Sequence, residues 1–182
     1  MIVSDRKNKG GTMDLKACIR DIPDFPKKGI LFRDITTLLN DPGAFRQAIN
    51  ELVKKVKTEK IDFVMAAESR GFIFGSILAY TLKAGFVPVR KPGKLPYKTY
   101  QEKFQLEYGE DAFEVHQDAF PKGSKVLIID DLLATGGTAK AMINLVKRLK
   151  GNVSGVLFLI ELTALKGRSK LKGYHVQSLI QY

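Results

Sequence analysis

The chain is short of several things, and each scarcity removes a class of protein. Cys18 is its single cysteine in 182 residues, so no disulfide can form within it, which suits a reducing cytoplasm. No apolar run approaches the ~20 residues that a membrane helix needs. The opening stretch MIVSDRKNKGGT lacks the apolar core of a signal peptide and reads as a loose polar arm. Disorder is expected over 1–12, with Met13 as a candidate natural first residue and 13–182 as a single domain. There is no zinc-ligand spacing, helix-turn-helix or aromatic RNA-binding signature, and no internal repeat, linker or low-complexity segment. Acidic residues are few beside basic ones, 19 against 30, which leaves a formal charge of +11.

That surplus admits three explanations: nucleic acid, a small multiply phosphorylated substrate drawn in by the field, or plain solubility. The lysines are scattered rather than massed, as in Lys54, Lys55, Lys57 and Lys60, and nucleic acid is the least supported of the three. With 45% hydrophobic and 27% charged residues the composition is that of an ordinary globular chain. Its length is enough to bury a core without staples.

The apolar pattern alternates between two periods. Asp41-Pro42 opens a helix as cap and first residue, and Ala44, Phe45, Ala48, Ile49, Leu52, Val53 and Val56 follow at helical spacing. Strands are predicted at 63–67, 86–90, 126–130, 153–162 and 176–181, and helices at 72–83 and 137–149. Residues 91–111 are polar and marked by proline and glycine, so they read as a long loop or arm. Continuously apolar strands alternating with helices indicate an α/β fold with a mainly parallel sheet covered on both faces. Ligands of such sheets sit at the carboxyl ends of the strands, and both unusual turns, Glu68–Gly71 and Asp130–Thr138, fall there.

The second turn belongs to the segment VLIIDDLLATGGTA (126–139). Adjacent carboxylates at a strand end repel and lose hydration if buried, so they need partners. In isolation Asp130-Asp131 would merely cap the next helix. Here Thr135, Gly136, Gly137 and Thr138 follow, supplying hydroxyls, small side chains and free N–H groups where a helix begins. Such an N-terminus binds phosphate. The turn is neither a Walker loop nor GxGxxG. An acid pair that accepts from vicinal hydroxyls, next to a phosphate cradle, describes a site for a ribose carrying a 5′-phosphate.

VLIIDDLLATGGTA also resembles the phosphoribosyl-diphosphate signature of the type I phosphoribosyltransferases. FPKKGILFRDITTLL (25–39), AAESRGFIFG (66–75), VPVRKPGKLP (87–96), QLEYGED (105–111) and IEL with GR (160–168) extend the likeness. Together they resemble the adenine phosphoribosyltransferases from Asp24 to Tyr182. The resemblance implies transfer of a phosphoribosyl group from 5-phosphoribosyl 1-diphosphate to N9 of adenine, with Mg²⁺, in a typically homodimeric enzyme that needs neither nucleic acid nor membrane. It also implies a small N-terminal hood and a flexible lid loop.

Roles carry over by position. Ala134, Thr135, Gly136, Gly137 and Thr138 would hold the 5′-phosphate. Asp130 and Asp131 would hold the ribose hydroxyls and stabilise developing positive charge at C1′. Glu68, Ser69 and Arg70, the first two often joined by a cis peptide, would meet the diphosphate with Arg90 and Lys91. Leu31, Phe32 and Arg33 would grip adenine, with Phe32 stacked on the base and the Leu31 backbone reading its edge. Glu107, with Tyr108 beside it on the lid, would take the N9 proton. Mg²⁺ prefers diphosphate and water oxygens, so no direct protein ligand is assigned.

Each assignment has a plainer counterpart: Arg70 in a surface ion pair, Phe32 in the core, Glu107 as solvated surface. Phe104 departs from the tyrosine common at its position, which puts one lid hydroxyl in doubt. His116, His175 and Cys18 sit in no catalytic spacing. Two other functions stay in view, a transferase for 6-oxopurines and a non-catalytic regulator that senses the sugar diphosphate. LFRD speaks against the first, and the presence of Arg70 and Glu107 against the second.

Overall fold

A computed structural model describes residues 13–56, 60–105 and 110–182, so the arm expected over 1–12 lies outside them. The described residues fall into two compact units that divide between Glu51 and Leu52. In the first, strands β1 (Arg20–Pro23) and β2 (Leu31–Asp34) pair antiparallel, and a short helix α1 (Thr36–Leu39) follows. Asp34 ends β2 and fastens the turn. It accepts from the Thr36 N–H at 2.9 Å and pairs with Arg20 at 2.6 Å, and these bonds outweigh its burial to hold the carboxyl below its ordinary value. Helix α2 (Pro42–Val56) starts where the sequence predicts, because Asp41 Oδ1 accepts from the N–H groups of Gly43 (2.9 Å) and Ala44 (3.0 Å).

The second unit is built on five parallel strands: β3 (Phe63–Ala67), β4 (Gly85–Val89), β7 (Lys125–Leu133), β8 (Asn152–Glu161) and β9 (Val176–Gln181). Their order across the sheet is β4-β3-β7-β8-β9. Helix α3 (Arg70–Leu82) joins β3 to β4 in one direction along the sheet. Helix α4 (Gly137–Arg148) joins β7 to β8 in the other. Right-handed crossovers running opposite ways put their helices on opposite faces. The packing agrees: Met65, Val126 and Ile128 share a core with α4, whereas Gly75 of α3 lies against Ala66, Phe86 and Ile129. Both faces are therefore buried, which is why these strands read as continuous apolar runs.

Residues 91–111 differ from the long loop predicted. Thr99–Gln105 and Glu110–His116 form strands β5 and β6 of an antiparallel hairpin, with Thr99 opposite His116 and Gln105 opposite Glu110. The alternation is hidden in sequence because Glu102 occupies an inward position between Tyr100 and Phe104. It is tolerated there because Asn144 of α4 donates to its carboxylate at 2.7 Å. Arg148 adds a second tie, donating to the Gln101 carbonyl at 3.1 Å with its guanidinium 4.4 Å from the Tyr100 ring centre. Phe104, where a hydroxyl is missing, is buried and packs on Phe113 at 4.8 Å.

Candidate active site

Strands β3 and β7 are hydrogen-bonded neighbours whose connections leave in opposite directions. A crevice opens beyond the carboxyl ends of such a pair, and ligands of parallel sheets bind there. The turn after β3 carries Glu68, Ser69 and Arg70, and the turn after β7 carries Ala134–Thr138. The sheet thus brings together the two segments whose chemistry stands out in sequence.

Asp130 and Asp131 lie near the end of β7 and are both buried. Burial pushes the Asp130 carboxyl well above its ordinary value, and the neighbouring Asp131 charge pushes it further. Burial also raises Asp131, against the opposing pull of the Arg70 guanidinium, whose Nε is 2.8 Å from Asp131 Oδ2. Arg70 opens α3, so the helix N-terminus and the guanidinium together face the acid pair. The approach is tight: a Cβ on Gly71 would lie 2.9 Å from Asp130 Oδ1. Arg70 does form an ion pair, but its partner is a site carboxylate rather than a surface one.

The Glu68–Ser69 peptide bond is cis, as the resemblance implies. The Glu68 carboxylate turns to the end of β4, where it accepts from Arg90 Nε at 3.1 Å, Arg90 Nη2 at 3.0 Å and the Lys91 N–H. Its burial would raise the carboxyl, but the Lys91 and Arg90 bonds together win and lower it. Lys91 Nζ pairs with Asp111 and lies 5.5 Å from the Phe113 ring centre. Sequence reasoning gives Asp111 no role, although it stands within QLEYGED.

Helix α4 begins at Gly137, preceded by Gly136 in the left-handed region at φ 78°. Its N-cap residue supplies no capping side chain, which leaves the first-turn N–H groups suited to an anion. Glu161 and Arg168, which sequence shows only as part of the likeness, form an ion pair behind this turn. Leu31, Phe32 and Arg33 belong to the first unit. There Phe32 is half-buried rather than core, edge-on to Phe25 at 5.1 Å, and Arg33 pairs with Asp21. Glu107 and Tyr108 lie outside the described residues.

The geometry is matched by comparison with known proteins. The profile of a family described as a phosphoribosyl transferase domain matches residues 35–177. An adenine phosphoribosyltransferase of Thermotoga neapolitana is 58% identical over 170 residues, covering 93% of this chain and all of that one. A crystal structure of adenine phosphoribosyltransferase from Thermoanaerobacter pseudethanolicus aligns with a TM-score of 0.90 at 54% identity, covering 92% of this chain and 98% of that one. The Saccharomyces cerevisiae enzyme, complexed with an imino-altritol bisphosphate and adenine, aligns with a TM-score of 0.85 at 44% identity, covering 91% and 96%.

Proposed function

The chain belongs to the adenine phosphoribosyltransferases of the phosphoribosyl transferase family, and from that premise we propose how its strand-end crevice carries out the reaction. The reaction joins adenine to 5-phosphoribosyl 1-diphosphate, giving AMP and diphosphate in purine salvage. Use of 6-oxopurines is not favoured. The bond from C1′ to the diphosphate oxygen breaks, its electrons leaving on diphosphate. The lone pair of N9 forms the bond to C1′, and the N9 proton passes to a base.

The observation that carries this reading is the buried acid pair followed within six residues by an uncapped helix N-terminus. Asp130 and Asp131 accept from the 2′- and 3′-hydroxyls, and the charge they share with Arg70 stabilises positive charge growing at C1′. The backbone of 134–138, with Thr135 and Thr138, cradles the 5′-phosphate. Ser69, Arg70, Arg90 and Lys91 meet the departing diphosphate, with Glu68 holding the last two in place. Phe32 stacks on adenine and Glu107 receives its proton.

The donor set also fits Mg²⁺. Asp130 and Asp131 offer hard oxygens of the kind Mg²⁺ prefers. The two acids would hold it through water, and when bound it supplies neutralising charge to the diphosphate oxygens. We assign the protein to the cytoplasm and to a homodimer. No helix among the described residues is long and apolar enough to cross a membrane. The surplus of positive charge guides a polyanionic substrate.

Incubation with labelled adenine, guanine and hypoxanthine plus the sugar diphosphate tests the reading. AMP is expected and IMP and GMP are not; comparable formation of either would overturn the base assignment. Phe32→Ala is expected to raise KM for adenine about 10-fold, in line with stacking of ~1–3 kcal/mol. An unchanged KM removes the stacking role.

A further inference from the structure

The turn that cradles the 5′-phosphate does not stand by itself. Behind it runs the segment 162–171, which leaves β8, folds over the turn and closes with the 3-10 turn Gly167–Leu171. The two layers touch through bare backbone. A Cβ on Gly136 would lie 2.5 Å from the Gly167 carbonyl oxygen, and one on Gly167 would collide with the Ala134 carbonyl. The height of Gly167 therefore sets the position of Ala134–Gly136, and with it the aim of the N–H groups that open α4.

Arg168, the next residue, fixes that height. Its Nε donates to Glu161 Oε1 at 2.6 Å, its Nη2 to Glu161 Oε2 at 2.7 Å and its Nη1 to the Val176 carbonyl at 2.7 Å. The guanidinium thus bridges the end of β8 and the start of β9. Glu161 is buried and has further donors in Ser178 Oγ at 2.6 Å and Gln181 Nε2 at 3.4 Å. A bidentate pair of this kind fixes direction as well as distance. β8 and β7 are themselves joined at this level, since the Leu162 N–H donates to the Leu133 carbonyl at 2.9 Å.

We infer that Glu161 and Arg168 form a positioning clamp for the 5′-phosphate turn, acting through the backbone contact of Gly167 with Ala134 and Gly136. The assignment rests on the reading of 134–138 as the phosphate cradle. Neither side chain needs to touch the substrate. Metal sites give the scale for such indirect support, since loss of an outer partner there typically costs 10- to 100-fold in affinity.

The test compares binding of ribose 5-phosphate and of inorganic diphosphate to the full chain by calorimetry, beside KM for each substrate. Arg168→Ala is expected to weaken ribose 5-phosphate about 10- to 100-fold and to raise KM for the sugar diphosphate, with diphosphate binding unchanged. Arg168→Lys keeps the charge but loses the fork, and Ser178→Ala removes one donor to Glu161. The loss is expected to be largest for Arg168→Ala, smaller for Arg168→Lys and smallest for Ser178→Ala. The two milder variants decide the matter should Arg168→Ala fail to fold. A residue that only stabilises the fold would lower the melting temperature and the fraction of active molecules while leaving both dissociation constants intact; that result overturns the clamp, as does unchanged binding throughout. Thr138→Ala separates the two levels. If it weakens ribose 5-phosphate and the Arg168 variants do not, the clamp is wrong and the cradle stands. If ribose 5-phosphate fails to bind the unaltered chain, the cradle reading itself falls.

Discussion

The turns at the tips of β3 and β7 and the hairpin β5–β6 are two polar regions of one unit, built on opposite plans. At the tips the charged groups are buried or half-buried, and their ties run between neighbouring strand ends: Asp131 to the Arg70 guanidinium, and Glu68 to the Arg90 guanidinium and the Lys91 N–H. The hairpin fastens its charges to other elements instead, Glu102 to Asn144 of α4 and Asp111 to Lys91 at the end of β4. The difference teaches where each kind of chemistry is kept. The groups proposed to hold the sugar sit on neighbouring parallel strands, while the hairpin is held by burial of Phe104, Phe113 and Val115 and by paired backbone bonds between Arg90 and Glu114, with the side-chain ties added to these.

The sharpest way to break the comparison is at the tips. Asp130→Asn with Asp131→Asn is expected to lower kcat on the order of 10²- to 10³-fold with the circular dichroism spectrum unchanged. Near-normal turnover would mean that the acids take no part in the reaction. Next, Glu107→Gln is expected to slow single-turnover chemistry on the order of 10²-fold while the affinity for the sugar diphosphate, measured by titration, changes little. Equal losses in both would make the hairpin segment a binding element, no different in kind from the tips.

A smaller effect is expected from the ties. Asn144→Ala leaves the buried part of Glu102 without its donor and should cost about 1–3 kcal/mol of stability in denaturant unfolding. The rate of the chemical step should move less than the midpoint. Smallest is a shift in melting temperature with pH. The Asp130 carboxyl is raised in the fold, so its contribution favours the folded state below the ordinary value of 3.8 and is lost as pH rises through the folded value. Asp130→Asn should therefore raise the melting temperature at neutral pH, and the gain should vanish as pH falls below 3.8. A constant offset at all pH would show that the carboxylate is not held at a disadvantage.

The same contrast explains what can be read in advance. The tips are legible because strand, turn and helix are consecutive: the run Val126–Ile129, the acids and the small residues before α4 announce one another. The parallel sheet follows from the same runs. Helix α3 starts at Arg70, ahead of its apolar pattern, because the turn itself enters the helix. The hairpin is hidden because its alternation depends on Glu102 being accepted inward by a residue 42 positions away. No local pattern carries that information. Glu161 and Arg168 are visible as letters, but their purpose depends on Gly167 meeting Gly136, a contact between segments that only folding brings together.

One consequence follows from the ladder between β3 and β7, where Ala66 stands opposite Ile129. The segments proposed to grip the leaving group and the pentose begin only a few residues beyond that rung, on adjoining main chains. Their separation is gauged by backbone hydrogen bonds, which side-chain drift cannot retune, and a slip of a single rung would displace one grip from the other by about 3.3 Å. The distance between the two proposed grips is thus written into the sheet as a ruler, leaving the surrounding side chains free to vary without altering it.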